Sequence, residues 1–204
     1  PAGLASVRSR VLGACGMDLV PRGSYKLDSL DAAGNATGLV DARTAAAHNL
    51  AGLVALVFPV GRSFTAGIGV YTPAGPGIAW AGEDFKALTM GGAYSWSSKA
   101  GLLTIAPALA WRAGEKISVG ATLNLNRSSL SLKTHAGSLP GIDGGVDLGQ
   151  YEESLGGWSC GATLGVLVRP HRVISLGATV RTASKATLKG DATVPNLAYV
   201  GYED

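Results

Sequence analysis

The chain has 204 residues, of which 47% are hydrophobic, only 6% aromatic and 15% charged, and 30 are glycine. Charge lies below the globular norm of about 25% and glycine is roughly double its usual share, a composition poor in the bulky groups that fill a large soluble core. The net charge of +3 comes from scattered basic residues, which does not point to nucleic acid.

In chain order, residues 7–20 and 45–59 are weak strand candidates. "LVPRGS" (Leu19–Ser24) has the look of a cleavable vector linker, but it sits between native-looking segments and reads as coincidence. In "SFTAGIGVY", Phe64, Ala66, Ile68 and Val70 share one face, opposite Ser63, Thr65, Gly67 and Gly69. In "LTIAPALAWR", Leu103, Ile105, Leu109 and Trp111 oppose Thr104, Ala106, Ala108 and Ala110. "KISVGATLNLN" alternates without a break, Ile117 to Leu125 on one side and Ser118 to Asn126 on the other. "WSCGATLGVLV" and "ISLGATVRT" repeat the pattern at 158–168 and 174–181. Side chains alternate across a strand, so each stretch has one greasy face and one small or polar face.

The connections separate by length. "VGR" (60–62), "AGEK" (113–116) and "RPHR" (169–172) are tight turns, whereas 25–43, 74–99 and 133–156 are long links. Strict alternation of short and long connections is expected of antiparallel strands that cross a membrane, with tight periplasmic turns and long extracellular loops. Faces of Gly, Ser, Thr and Ala suit a wide lumen better than a tight core. Trp111 and Trp158 fall near strand ends, where interfacial aromatics belong. The fold predicted is therefore all-β, an antiparallel transmembrane β-barrel with the greasy face toward lipid. No apolar run reaches the roughly 18 residues of a membrane helix. Cys15 and Cys160 have no CxxC spacing and no histidine cluster nearby, so neither a metal nor another cofactor is expected.

Several segments carry a resemblance. "PAGLA" (1–5) looks like the end of an Asn-Pro-Ala hatch motif, and 64–80, 105–126 and 157–192 look like the third to seventh strands of the FadL-type outer-membrane transporters of long-chain fatty acids and hydrocarbons. The resemblance covers most of 50–192 and more weakly 1–49. It implies a fourteen-stranded barrel plugged by an N-terminal hatch, of which this chain holds about seven strands. Residues 1–5 are then the end of the hatch, with Pro1 and Ala2 in its motif, and 6–204 the first half of the barrel. The chain starts at "PAGLAS", without an initiator Met or a signal peptide, and ends at "GYED", and on this reading it is a fragment. The resemblance further implies a Gram-negative outer membrane, contact with its lipid, a monomeric full-length form, no nucleic-acid partner, and uptake of a long-chain fatty acid or another hydrophobic small molecule. A general porin, or a structural barrel or adhesin, is the alternative.

By the family's scheme, apolar loops capture substrate, the lumen binds it, and a kink in the third strand releases it sideways. The kink expected here is Tyr71, Thr72, Pro73, Ala74 and Gly75, since Pro73 has no N–H and Gly75 bends freely. The capture residues expected are Ile78, Trp80 and Phe85 in one loop and Leu139, Ile142, Val146 and Leu148 in the next, because apolar groups in water-exposed loops mark binding grooves or pack on one another. Arg112, Arg169 and Arg181 fall on or near the lumen register. One of them could attract a carboxylate head group, but the first two flank tight turns and read rather as solvated rim charge. His48 shares the outward register of Leu50, but no strand serine stands beside it, so no catalytic set is expected. His135 and His171 belong to a loop and a turn.

Overall fold

The computed structural model describes residues 1–28, 33–35, 39–75, 77–89, 91–139, 145–171 and 173–201. Its strands in chain order begin with β1 (Val11–Leu19), β2 (Ser24–Leu27), β3 (Val40–Ala45), β4 (Asn49–Val60), β5 (Phe64–Ala74) and β6 (Gly77–Trp80). They continue with β7 (Trp96–Arg112), β8 (Ile117–His135), β9 (Ser138–Leu139), β10 (Val146–Asp147), β11 (Gln150–His171), β12 (Ile174–Arg181) and β13 (Lys189–Thr193). Seven of these form the wall, each antiparallel to the next: β1–β4–β5–β7–β8–β11–β12. Among the described residues the outer sides of β1 and β12 are unpaired, so the sheet is open at both ends.

Tight turns join β4 to β5, β7 to β8, and β11 to β12; the first two stand where the sequence places them, but β11 runs on through Arg169 to His171, which pairs with Ile174 and is a strand residue rather than part of a turn. Gly61 supplies the positive φ (71°) that the first of them needs. At the opposite end the long links carry structure of their own. The β2–β3 hairpin joins β6, and β6 runs along β7 above β5. β9 pairs with β10, and β13 pairs with the upper part of β11. Two expected links are shorter than 74–99 and 133–156, because β7, β8 and β11 stay paired out to Trp96, His135 and Gln150.

The two faces divide as the alternation requires. Leu123 and Leu164 are 47% and 59% exposed, whereas their neighbours Asn124 and Thr163 are 7% and 9% exposed. Thr65, Thr104, Ala106, Ala110 and Ser118 are buried on the same inner side. Part of the cover is a 3-10 helix, Ala2–Ser6, packed against β5, β7, β8 and β11. Gly120 of β8 permits this approach: a Cβ there would stand 2.8 Å from the Ala2 nitrogen and the Pro1 carbonyl carbon. Among the described residues the leucine face has no such cover, as the lipid face of a barrel wall requires.

Candidate functional site

The wall changes character at one level. Below it, the outward residues of β8 are Ile117, Val119, Ala121, Leu123 and Leu125; above it they are Arg127, Ser129, Ser131 and Lys133. The inward side does the reverse, passing from Asn124 and Asn126 to Leu130 and Leu132. The β8–β11 register runs from Val168↔Ile117 to Gln150↔His135 without a shift, so the exchange lies in the sequence and not in a bulge. β11 repeats it in part, with Glu152, Ser154 and Gly156 outward and Leu155 inward beside Tyr151 and Glu153, and β7 adds Lys99 outward and Leu102 inward. Arg127 marks the level, its guanidinium carbon 5.7 Å from the centre of the Trp158 ring. A cation and an indole side by side are suited to a headgroup boundary. Above that boundary the sheet is wet outside and greasy inside.

The greasy side forms a mouth. Ile78 and Trp80 of β6, Trp96 of β7 and Leu132 of β8 line a cavity of about 150 Å³. Behind it, Phe85 is 6% exposed in a cluster with Val40, Ala42, Leu27, Trp80 and Trp96. Its ring stacks on Trp96 at 4.7 Å and meets Trp80 edge-on at 6.1 Å. The Trp96 indole N–H is buried and has no acceptor among the described residues.

Below the mouth the ladder between β4 and β5 stops. Pairing runs from Val60↔Phe64 to Leu53↔Tyr71 and goes no further. On the other side of β5 the register with β7 shifts between Tyr71 and Ala74. Pro73, within this stretch, cannot donate to either neighbour. The inner surface beside the break holds two adjoining cavities of about 260 and 270 Å³. Both are lined by Tyr71, Asn124 and Arg181; the first reaches Pro1 and Leu4, the second Pro73 and Ser184. The lumen surface is therefore continuous from the N-terminal segment to the break.

Two arginines hold that N-terminal segment. Arg112 donates from Nε to the Ala5 carbonyl at 3.1 Å and again from Nη2, and Arg169 donates from Nη2 to Ser6 Oγ at 2.6 Å. This corrects their reading as rim charge: their strands end opposite the segment, whose carbonyl and hydroxyl accept from them. Arg181 points to Thr163 Oγ1 at 3.4 Å.

The outer loops are pinned by one carboxylate. Asp147 accepts from the Tyr94 hydroxyl and, at 2.9 Å, from the Gly149 N–H, while His135 Nε2 lies 2.7 Å away and stacks on Tyr94. Burial works to raise the Asp147 pKa, but the bonds from Tyr94, Gly149 and His135 outweigh it and leave the carboxyl below its ordinary value. The hydrogen bond to Asp147 holds the Tyr94 hydroxyl above its ordinary value, with burial adding to the effect. The Asn196 amide donates to the Asp147 carbonyl at 2.8 Å, tying in the segment after β13.

The sequence pattern of the outer membrane protein transport protein family (OMPP1/FadL/TodX) matches residues 1–203. The chain belongs to this family. Among solved structures it resembles a Pseudomonas aeruginosa FadL homologue, with 16% identity and a TM-score of 0.63 over 87% of this chain and 44% of the other. It also resembles a TodX deltaS2S3 mutant, a monoaromatic hydrocarbon channel, with 17% identity and a TM-score of 0.66 over 91% of this chain and 50% of the other. The chain thus spans about half the length of these relatives. Among curated proteins no match reaches significance.

Set in the OMPP1/FadL/TodX fold, the residues singled out by sequence fall into three places. Ile78 and Trp80 line the mouth, while the Phe85 side chain is inside the cluster behind it. Leu139 and Val146 are a cross-strand pair of the β9–β10 hairpin, Leu148 donates from its N–H to the Gly137 carbonyl, and Ile142 lies outside the described residues. Tyr71 to Gly75 occupy the break. Trp96, Leu102, Leu130, Leu132 and Leu155 were missed. Their signal was present in "RSSLSLKTH", where alternation continues but apolar residues move from odd to even numbers.

Proposed function

We propose that this chain is part of a barrel that takes hydrophobic compounds, long-chain fatty acids or other apolar molecules, across the outer membrane. The observation that carries the reading is the exchange of faces at Arg127. A channel for polar solutes gains nothing from leucines and tryptophans on the inner side of its mouth, whereas an apolar solute leaving water is favoured by about 25 cal/mol for each Å² it buries there. Substrate enters at Ile78, Trp80, Trp96 and Leu132, with Leu139, Ile142, Val146 and Leu148 as the facing loop. It passes the inner cavities beside Tyr71 and leaves through the wall at 71–75. Residues 1–5 act as the end of a hatch, and their contact with four strands weighs against an open general porin.

Two experiments on the whole barrel test this. Leu130→Ser with Leu132→Ser should lower uptake of a labelled fatty acid at low concentration, whereas Ser129→Asn with Ser131→Asn, on the wet side, should not. Equal effects would remove the mouth. Pro73→Val with Gly75→Val should add ladder bonds and slow release. A Cβ at Gly75 meets nothing closer than the Ala100 carbonyl oxygen at 3.5 Å, an ordinary van der Waals contact, so a side chain can start there without a clash. Full transport by that double variant would take the exit away from this stretch.

A further inference from the structure

We infer that Asn49 and Thr72 form a side-chain latch across the break in the wall, closing it at rest and letting it open without parting two strands. The inference rests on the reading of residues 71–75 as an exit. Beyond Leu53↔Tyr71, among the described residues, no ladder pair joins β4 to the segment that follows. Unpaired amides facing lipid are costly, so something must satisfy them. At the lower end of the break, the Gly52 N–H donates to Thr72 Oγ1 at 2.8 Å, and the Thr72 hydroxyl lies 3.4 Å from the Gly52 carbonyl. One hydroxyl thus stands where a backbone pair would have continued.

At the upper end the substitution is more complete. Asn49 Oδ1 accepts from the Gly77 N–H at 2.6 Å, and Asn49 Nδ2 donates to the Gly77 carbonyl at 3.0 Å. These are the two bonds that an antiparallel neighbour would make, supplied by one carboxamide, which carries both a donor and an acceptor. Nδ2 also donates to the Leu19 carbonyl at 3.1 Å, so the same amide reaches β1. Asn49 is 5% exposed, and a buried amide is tolerated only when it is bonded. Gly77 is fitted to it: a Cβ there would lie 3.0 Å from Asn49 Oδ1 and 3.1 Å from Lys99 Cγ. Between the two bridges stand Leu50 and Ala51 of β4 and Pro73 of β5, with no ladder pair between them. A ladder opens only when backbone moves. A side-chain bridge opens by rotamer changes, so in this part of the wall two χ rotations free the gap.

The test uses the whole barrel in lipid and reads amide hydrogen exchange at Gly77 and Gly52. Asn49→Ala should speed exchange at Gly77, and Thr72→Val at Gly52, each about tenfold, the worth of one hydrogen bond. Thr72→Ser keeps the hydroxyl and should keep protection, and residues 64–71 should not change in any variant. Unchanged exchange at both glycines overturns the latch. If Asn49→Ala does not fold, the Thr72 pair decides, and equal exchange at Gly52 in the Val and Ser forms overturns it. Fatty-acid uptake separates this inference from the one beneath it. Faster exchange with altered uptake supports a latch on the exit. Faster exchange with unaltered uptake leaves the latch as a seal of the wall and sinks the exit reading instead.

Discussion

An arginine at position 123 gives the sharpest test of which way the wall faces. The outward apolar stretch of β8 runs from Ile117 to Leu125, with Ala121 at its centre. At about 3.3 Å per residue and a tilt near 45°, Leu123 stands roughly 5 Å from the midplane. A guanidinium there costs about 2–4 kcal/mol. Asn124, one residue on, faces the two inner cavities and donates to Thr163 Oγ1 at 3.0 Å. Asn124→Arg loses that bond, about 1 kcal/mol, but directs its charge into the two inner cavities rather than into hydrocarbon. The two variants of the whole barrel should therefore differ by about 1–3 kcal/mol, or roughly 5- to 150-fold in the folding constant. Urea unfolding in lipid vesicles, followed by heat-modified gel mobility, measures the difference. If Leu123→Arg proves as stable as Asn124→Arg, the greasy face is not in lipid and the reasoning fails.

Other consequences are separately measurable. Leu139, Ile142 and Leu148 changed together to Ser should weaken uptake at low substrate concentration while unfolding is unaltered, since loops add little to barrel stability; an identical uptake curve would reduce them to rim packing. The Asp147 pin has a window set by its two shifts. A carboxyl held below 3.8 contributes stability above that pH and loses it as pH falls through the depressed value, whereas a phenol held above 10.0 contributes below that pH and loses it as pH rises through the raised one. Protease sensitivity of the outer loops should thus stay flat from pH 5 to 9 and rise at either extreme; Asp147→Asn should raise it throughout. Gly120→Val should displace the N-terminal segment, because its Cβ alone would stand 2.8 Å from Ala2. Osmotic swelling of vesicles should then report a leak, and its absence would show that the segment does not obstruct the lumen.

The wall was legible because lipid imposes one rule on every crossing strand. Over 64–70, 103–111, 117–125, 158–168 and 174–180 the period of two held with its greasy phase constant within each stretch, so face and direction followed for five strands. The upper ends were not legible for a related reason. The amphipathic signal of β8 fades at Asn126, where outward Leu gives way to Arg127, although the strand itself continues to His135. What ends there is the apolar solvent, and a pattern defined by hydrophobicity reads a change of solvent as the end of an element. The break at Tyr71 was visible through Pro73, whose missing donor is a property of one residue. Asn49 and Thr72 were not, since a small polar residue in a strand looks the same whether it faces water or replaces a backbone bond. Arg112 and Arg169 were misjudged because their acceptors, Ala5 and Ser6, lie more than a hundred residues away in the chain.

The exchange of faces also fixes how thick a membrane this wall fits. Outward apolar residues run from Ile117 to Leu125 on β8 and from Trp158 to Val168 on β11. Tilted near 40°, these stretches rise only about 20–25 Å. A typical bilayer core is about 30 Å, and the outer membrane is thinner than average. In the thicker membrane the Arg127 guanidinium and the serines above it would be drawn into hydrocarbon, or the bilayer would have to pinch around the wall, at a cost that grows with each ångström of mismatch. The same nine to eleven positions that hide the strands from water thus fit the protein poorly to a membrane of ordinary depth.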